Sequence, residues 1–190
     1  MNDVELIKLE IDHLEMVRNW RNSLYVSASM YSDNEITEEQ QQKWFLKIKE
    51  DATCKYWVVY FKGISVGLAY LTDINLSFDS CYMGFYLKDS SVSGTSIAAK
   101  LEFNLLEYVF TVLKLNKLRC EVFEFNKPVI SMHEKFGFRR EAFYREHCKK
   151  NGKYENVIGL AILSNEWRVI ASALGTKIYG KFFLENKNGE

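Results

Sequence analysis

The 190-residue chain contains one proline, Pro128, and neither a repeat nor a low-complexity stretch, so no segment reads as a linker between domains. It lacks an excess of charge of either sign. Twenty-five Lys and Arg balance 25 Asp and Glu, which withholds the general electropositive surface that nucleic-acid affinity needs and argues against DNA and RNA as partners. No apolar run approaches the roughly 18 residues that cross a bilayer, and the N-terminus lacks the charged-then-apolar pattern of a signal peptide. A cytoplasmic protein without a membrane partner is the expectation. Cys54, Cys81, Cys120 and Cys148 form no C-x-x-C pair and the three histidines show no ligand spacing, so no metal site is expected and the cysteines read as four buried free thiols.

What the chain does have is core material. Hydrophobic residues make up 47%, with 13 Phe, 11 Tyr and 4 Trp, which suffices for one compact domain and excludes wholesale disorder. The domain is expected to span residues 1–175, followed by a frayed Lys- and Asn-rich tail over 176–190. Charge is spread unevenly: residues 1–51 hold six Lys/Arg against eleven Asp/Glu, and residues 114–153 hold eleven against five. An anionic ligand would prefer the second region.

Residues 4–9 alternate like a strand, and Asp12 suits the cap of a helix whose apolar face carries Leu14, Val17 and Trp20. Residues 22–36 have turn character. Thr37 with Gln40 then makes a capping box for a helix bearing Trp44, Phe45 and Ile48. Residues 56–61 and 64–71 are β-branched and aromatic and meet at Lys62-Gly63, a hairpin signal; residues 81–87 add a third strand. A short hydroxyl-rich loop over 90–96 follows, and then Ile97, Leu101, Leu105, Tyr108, Val109 and Val112 at helical spacing. Residues 118–123 read as a strand, Asn126 and Pro128 as the start of a helix that Gly137 ends. Two strands flank Asn151-Gly152, and Ser164 with Trp167 opens a last helix stopping near Gly175.

A strand feeding a small-residue loop that opens a helix presents backbone N–H groups and the positive end of the helix dipole in one place, which makes an anion cradle. Ser93, Gly94, Thr95 and Ser96 leave room for a phosphate there; an ordinary capped helix is the alternative. The Gly-Lys-Ser/Thr end of a nucleotide-hydrolase loop is absent, as are two glycines of the dinucleotide pattern, so ATP and NAD fit poorly.

The element order, the loop over 91–96 and the run 121–138 (EVFEFNKPVISMHEKFGF) resemble the GNAT family of acetyl-CoA-dependent N-acetyltransferases. The resemblance implies an α/β (α+β) fold: a mixed, mostly antiparallel sheet of about seven strands, flanked by helices, with two middle strands splayed around the pantetheine arm of acetyl-CoA. Residues 83–87 and 118–123 would be those strands. Phe85, Leu87, Ser91, Ser93, Gly94, Thr95, Ser96 and Asn126 would bind the cofactor. The family loop Gln/Arg-x-x-Gly-x-Gly/Ala is matched at Gly94, with Ser91 and Ser96 at its outer positions. RNWRN at 18–22, Met30-Tyr31, Trp44-Phe45 and residues 126–138 look more narrowly like the PseH subgroup, whose members acetylate the 4-amino group of a UDP-linked 4-amino-4,6-dideoxy sugar for pseudaminic acid. Gln41 stands where that subgroup often has histidine.

Acetyl transfer to an amine needs a neutral nucleophile, donors for developing negative charge on oxygen, and a proton for the departing thiolate. Glu121, on the strand face opposite Cys120 and Val122, can take the amine proton; a solvent-facing glutamate is the other reading. Backbone N–H groups near 85–87 would serve the oxygen, and Tyr86 either lines the acceptor pocket or is plain core. His133 occupies the place where the family commonly has a tyrosine as acid. Reference pKa values make proton transfer from imidazolium to thiolate downhill, yet only about a quarter of free imidazole is charged at pH 7. The alternative is that His133 only shapes the sulfur site. Asn126 can cap its helix or bond the pantetheine arm. By the resemblance Arg21 and Tyr31 contact the diphosphate and uracil, with Gln41 and Thr72 as further acceptor-side residues; a surface ion pair is the other reading of Arg21. The expected partner is a small-molecule amine, a UDP-amino sugar first, with a homodimer left open. A protein N-terminus, as in the ribosomal-protein acetyltransferases, is a second acceptor class, and a non-catalytic acetyl-CoA-binding module is the alternative of another kind.

Overall fold

The computed structural model describes residues 3–93 and 96–180 of the chain. Among these residues seven strands form one sheet in the order β1-β2-β3-β4-β5-β7-β6. The strands are β1 (Val4–Lys8), β2 (Lys55–Phe61), β3 (Ile64–Asn75), β4 (Ser80–Leu87), β5 (Lys117–Phe123), β6 (Arg139–Lys150) and β7 (Lys153–Leu163). Neighbours run antiparallel except β4 and β5, which are parallel. Lys62 and Gly63, and again Asn151 and Gly152, all have positive φ, the paired left-handed geometry that matches a two-residue turn to strand twist.

Helices cover both faces. On one side lie α1 (Leu14–Asn22), the short α2 (Leu24–Ser27) and α3 (Glu38–Lys49), whose Leu14, Val17, Val26 and Phe45 pack on Val58, Leu68 and Tyr86 of the sheet. On the other lie α5 (Ile97–Glu107), which continues into a π-helical turn at Tyr108–Val112, then α6 (Lys127–Lys135) and α7 (Ser164–Tyr179). Phe103, Leu106, Ile130, Trp167 and Ala171 form the larger core there with Leu71, Leu118, Leu160 and Ile162. Because α5 lies between the sheet and α7, it is buried on more than one side. No helix among the described residues is long and apolar enough to cross a membrane.

Five expectations need correction. Asp12 caps nothing: it lies inside a 3-10 turn, Ile11–His13, entered where the Glu10 N–H donates to His13 Nδ1 at 3.0 Å. Residues 22–36 contain α2, capped by Ser23 Oγ accepting from the Val26 N–H. The segment expected to be loop from 90 begins as a helical turn, α4 (Ser90–Ser93), because the Asp89 carboxylate accepts from both the N–H and hydroxyl of Ser91. The last helix does not stop near Gly175 but reaches Tyr179, whose hydroxyl donates to Asn104 Oδ1 of α5 at 2.6 Å. Cys81 and Cys120 are buried as expected, whereas Cys54 and Cys148 are only half-buried. Gly94, Thr95 and the end of the tail, 181–190, lie outside the described residues.

Candidate active site

The site follows from one interruption in the sheet. The parallel ladder of β4 and β5 runs through Ser80↔Lys117, Cys81↔Leu118 and Tyr82↔Arg119 and then ends. Beyond it β4 stays paired to β3 as far as Leu87, and β5 stays paired to β7 as far as Phe123. Residues 83–87 and 120–123 therefore diverge with inner edges that do not pair with each other. A slender molecule with amides of its own can occupy such edges as an added strand would. The cleft formed here has a volume of about 1350 Å³ and is lined by both edges together with residues of α1, α3 and α6.

Strand alternation assigns the side chains to two chambers. Tyr86 packs with the α1 and α3 cluster, while Phe85 and Leu87 pack toward α5. On β5, Cys120 and Val122 are buried in the core beneath α5 and α6, and Glu121 faces the opposite chamber. There its Oε2 accepts from the Tyr31 hydroxyl at 2.7 Å. The Tyr31 ring meets Phe123 edge-on at 5.4 Å, and burial together with the Glu121 carboxylate raises the phenol pKa far above its ordinary value, so Tyr31 remains a donor.

Arg21 projects from the last turn of α1 into the same chamber and donates to Ser32 Oγ at 2.8 Å. Among the described residues lining the cleft it is the one arginine or lysine, and no carboxylate pairs with it. Burial lowers its pKa, with the Tyr86 and Tyr70 hydroxyls acting in the other direction. The Tyr86 hydroxyl is buried with no hydrogen-bond partner, and burial raises its pKa despite nearby Arg21. Gln41 and Thr72 also line this chamber, as do Trp44, Tyr56 and Tyr70, none of which the sequence reading singled out as a site residue. Tyr70 stacks on Tyr56 at 5.5 Å and lies across Gly84, so that a Cβ on Gly84 would sit 2.3 Å from its ring.

In the other chamber His133 is buried on α6 and its Nδ1 lies 2.7 Å from Glu102 Oε1 on α5. Cys120 lies beside the same ring, and Phe85 and Phe138 meet it at 6.5 and 5.2 Å. Burial pushes the imidazole pKa down, but Cys120 and Glu102 push it up and prevail. Glu102 was missed by the sequence reading. Its signal was a lone carboxylate set among Leu101, Phe103, Leu105 and Leu106 in an otherwise apolar stretch.

Arg21, Tyr31, Gln41, Thr72, Phe85, Tyr86, Leu87, Glu121, Asn126 and His133 thus all line one cleft. Asn126 holds the cap position of α6 without a side-chain capping bond, and its amide reaches Ser29 Oγ at 3.5 Å instead. Ser91 and Ser96 are exposed and are not among the lining residues; Ser96 precedes α5 without a side-chain capping bond.

The acetyltransferase (GNAT) domain family matches residues 3–139. The chain is 24% identical over 131 residues to acetyltransferase PseH of Campylobacter jejuni, covering 69% of this chain and 80% of that one. It is 24% identical over 167 residues to spermidine N(1)-acetyltransferase of Vibrio cholerae, covering 87% and 96%. The crystal structure of spermidine N-acetyltransferase from Vibrio cholerae in complex with CoA and spermine matches with a TM-score of 0.83 at 23% identity, over 88% of this chain and 99% of that one. The seven-stranded sheet with its splayed centre is that fold, and the chain belongs to the GNAT family of acetyl-CoA-dependent N-acetyltransferases.

Proposed function

We propose that the chain acetylates the amino group of a UDP-linked 4-amino-4,6-dideoxy sugar, with Glu121 as base and His133 as acid. Arg21 carries this reading. A half-buried guanidinium with no carboxylate partner, in the chamber that holds Glu121, suits an acceptor bearing phosphate and opposes a polycation such as spermidine. Trp44, Tyr56 and Tyr70 add aromatic surface on which a base or sugar face can rest.

Acetyl-CoA supplies the acetyl group as a thioester, and the unpaired edges at 83–87 and 120–123 fit its pantetheine arm. Leu87, Ser91, Ser93, Gly94, Thr95, Ser96 and Asn126 remain the residues assigned to the cofactor. Phe85 packs toward His133 and closes the sulfur side. Glu121 takes a proton from the acceptor ammonium, with Tyr31 leaving or relaying through its hydrogen bond. The buried hydroxyl of Tyr86 and the N–H groups of 85–87 face developing negative charge on oxygen. His133 gives a proton to the sulfur. The two proton carriers stand on opposite faces of β5 and act on opposite ends of the transfer.

The test is incubation of the protein with acetyl-CoA and, separately, UDP-4-amino-4,6-dideoxy sugars, spermidine and peptides with free N-termini, reading mass gain of one acetyl group and thiol release. Turnover of the UDP sugar is expected. Preference for spermidine or a peptide overturns the acceptor assignment, and cofactor binding without thiol release from any amine overturns catalysis. With the sugar as acceptor, Arg21→Gln is expected to raise its KM about 10- to 100-fold, the worth of one charge-assisted hydrogen bond, with the KM of acetyl-CoA unchanged.

A further inference from the structure

Glu102 is fully buried in the middle of α5, with Oε1 against His133 Nδ1 and Oε2 without a partner. Among the described residues, His133 is the one basic group paired with this carboxylate. An isolated buried carboxylate is costly, and a contact of 2.7 Å is the length of a charge-assisted bond. With Nδ1 as the donor and Oε1 as the acceptor, the contact joins a ring N–H to a carboxylate oxygen. With Nδ1–H committed to Glu102, Nε2 is the other ring nitrogen; Cys120, which also lines the cleft, is the second hydrogen-bonding neighbour of the ring. The groups facing the ring are Glu102 from α5, Cys120 from β5, and the apolar rings of Phe85 from β4 and Phe138 beyond α6.

We propose that Glu102 is a positioning residue of acetyl transfer: its buried carboxylate holds His133 as an imidazolium whose Nε2–H is directed at the sulfur of the thioester. This rests on His133 being the proton donor and deepens that reading. As the carbon–sulfur bond breaks, its electron pair stays on sulfur and the Nε2 proton neutralises it. The ring is left neutral, still hydrogen-bonded to Glu102, and recovers a proton from solvent as product leaves. The difficulty of a histidine acid, that most free imidazole is neutral at pH 7, is met by the fixed negative charge behind it.

The experiment follows the three histidine rings, His13, His133 and His147, by NMR titration of isotope-labelled protein without substrate, in wild type and in Glu102→Gln, with His133→Phe for assignment. Gln retains a hydrogen-bond acceptor and removes the charge. The His133 ring is expected to stay doubly protonated well above the ordinary imidazole value of about 6.5 in wild type and to titrate clearly lower in the variant. In parallel, kcat at pH 8 is expected to fall about 10-fold or more in Glu102→Gln, with acceptor KM unchanged and the alkaline limb of the kcat profile moved down. A wild-type ring that is neutral at pH 7, or a titration unmoved by Glu102→Gln, overturns the assignment of Glu102. Unchanged turnover in His133→Phe overturns the proton-donor reading by itself, whatever the titration shows. Should Glu102→Gln not fold, the wild-type titration decides, and Glu102→Asp, which keeps the charge one methylene further away, is expected to titrate below wild type.

Discussion

At the scale of single residues, the candidate site is divided into two chambers because neighbours on one strand cannot share a face. Glu121 and Cys120 are adjacent in sequence, yet one meets Tyr31 in the acceptor chamber and the other meets His133 in the sulfur chamber. With Glu121 as the proposed base, Glu121→Gln keeps the shape and the bond from Tyr31 while removing the charge, so kcat is expected to fall about 10²- to 10⁴-fold, with the thermal shift produced by coenzyme A unchanged. The buried pair makes a separate prediction about stability. The His133 pKa is raised in the folded state, so its contribution is complete below the unfolded value of about 6.5 and fades as pH climbs through the folded value. The Tm advantage of wild type over Glu102→Gln is therefore expected to be larger at pH 6 than at pH 9.5; a gap that widened toward alkaline pH would contradict it. His133 and Glu121 were visible in the sequence because a motif and strand alternation picked them out. Glu102 was not, because a carboxylate in a helix reads as solvent-facing until the helix is known to be covered on more than one side.

Among elements, what sequence revealed and what it concealed divide along local and non-local lines. Lys62-Gly63 and Asn151-Gly152 announce their turns because positive φ is a requirement of those residues alone. The α3 capping box is equally local: Thr37 Oγ1 accepts from the Gln40 N–H at 3.2 Å. Gly175 misled because glycine is a helix stop only when nothing else holds the chain; here it is buried within α7, and the Tyr179 bond to Asn104 anchors the turn beyond it. The splay of β4 from β5 depended on the family resemblance, since no residue marks where a ladder ends. Gly84 shows how strand and acceptor chamber are joined. A Cβ there meets the Tyr70 ring at 2.3 Å, and Tyr70 is held by its stack on Tyr56. Gly84→Ala is expected to cost about 1–3 kcal/mol of stability and to raise the acceptor KM by displacing the Tyr70 ring, while coenzyme A binding persists. Denaturant melts and steady-state kinetics read the two effects separately, and unchanged acceptor KM would remove Tyr70 from the acceptor floor.

At the scale of the molecule, the three rungs joining β4 to β5 are, among the described residues, the only ladder between a four-stranded half, β1-β2-β3-β4, and a three-stranded half, β5-β7-β6. Packing of α5 and α6 against both edges, through Phe85, Glu102 and His133, and the Arg119–Asp73 ion pair at 3.0 Å add further connections. The divergent edges are thus the least-tied part of an otherwise continuous sheet, and a thioester arm seated there, as proposed, would complete the missing rungs. Coenzyme A at 100 times its Kd is expected to stabilise the fold by about 2.7 kcal/mol, roughly 5–10 °C in Tm for a chain of this length. Mass action alone would slow hydrogen exchange wherever exchange needs global unfolding. An arm seated along the edges adds protection of amides that have no strand partner, within 83–87 and 120–123, above that of the β6 and β7 amides, which are already paired in the free protein. Equal slowing across the sheet, with no excess at those two segments, would mean that coenzyme A binds elsewhere and that the splay is not its seat.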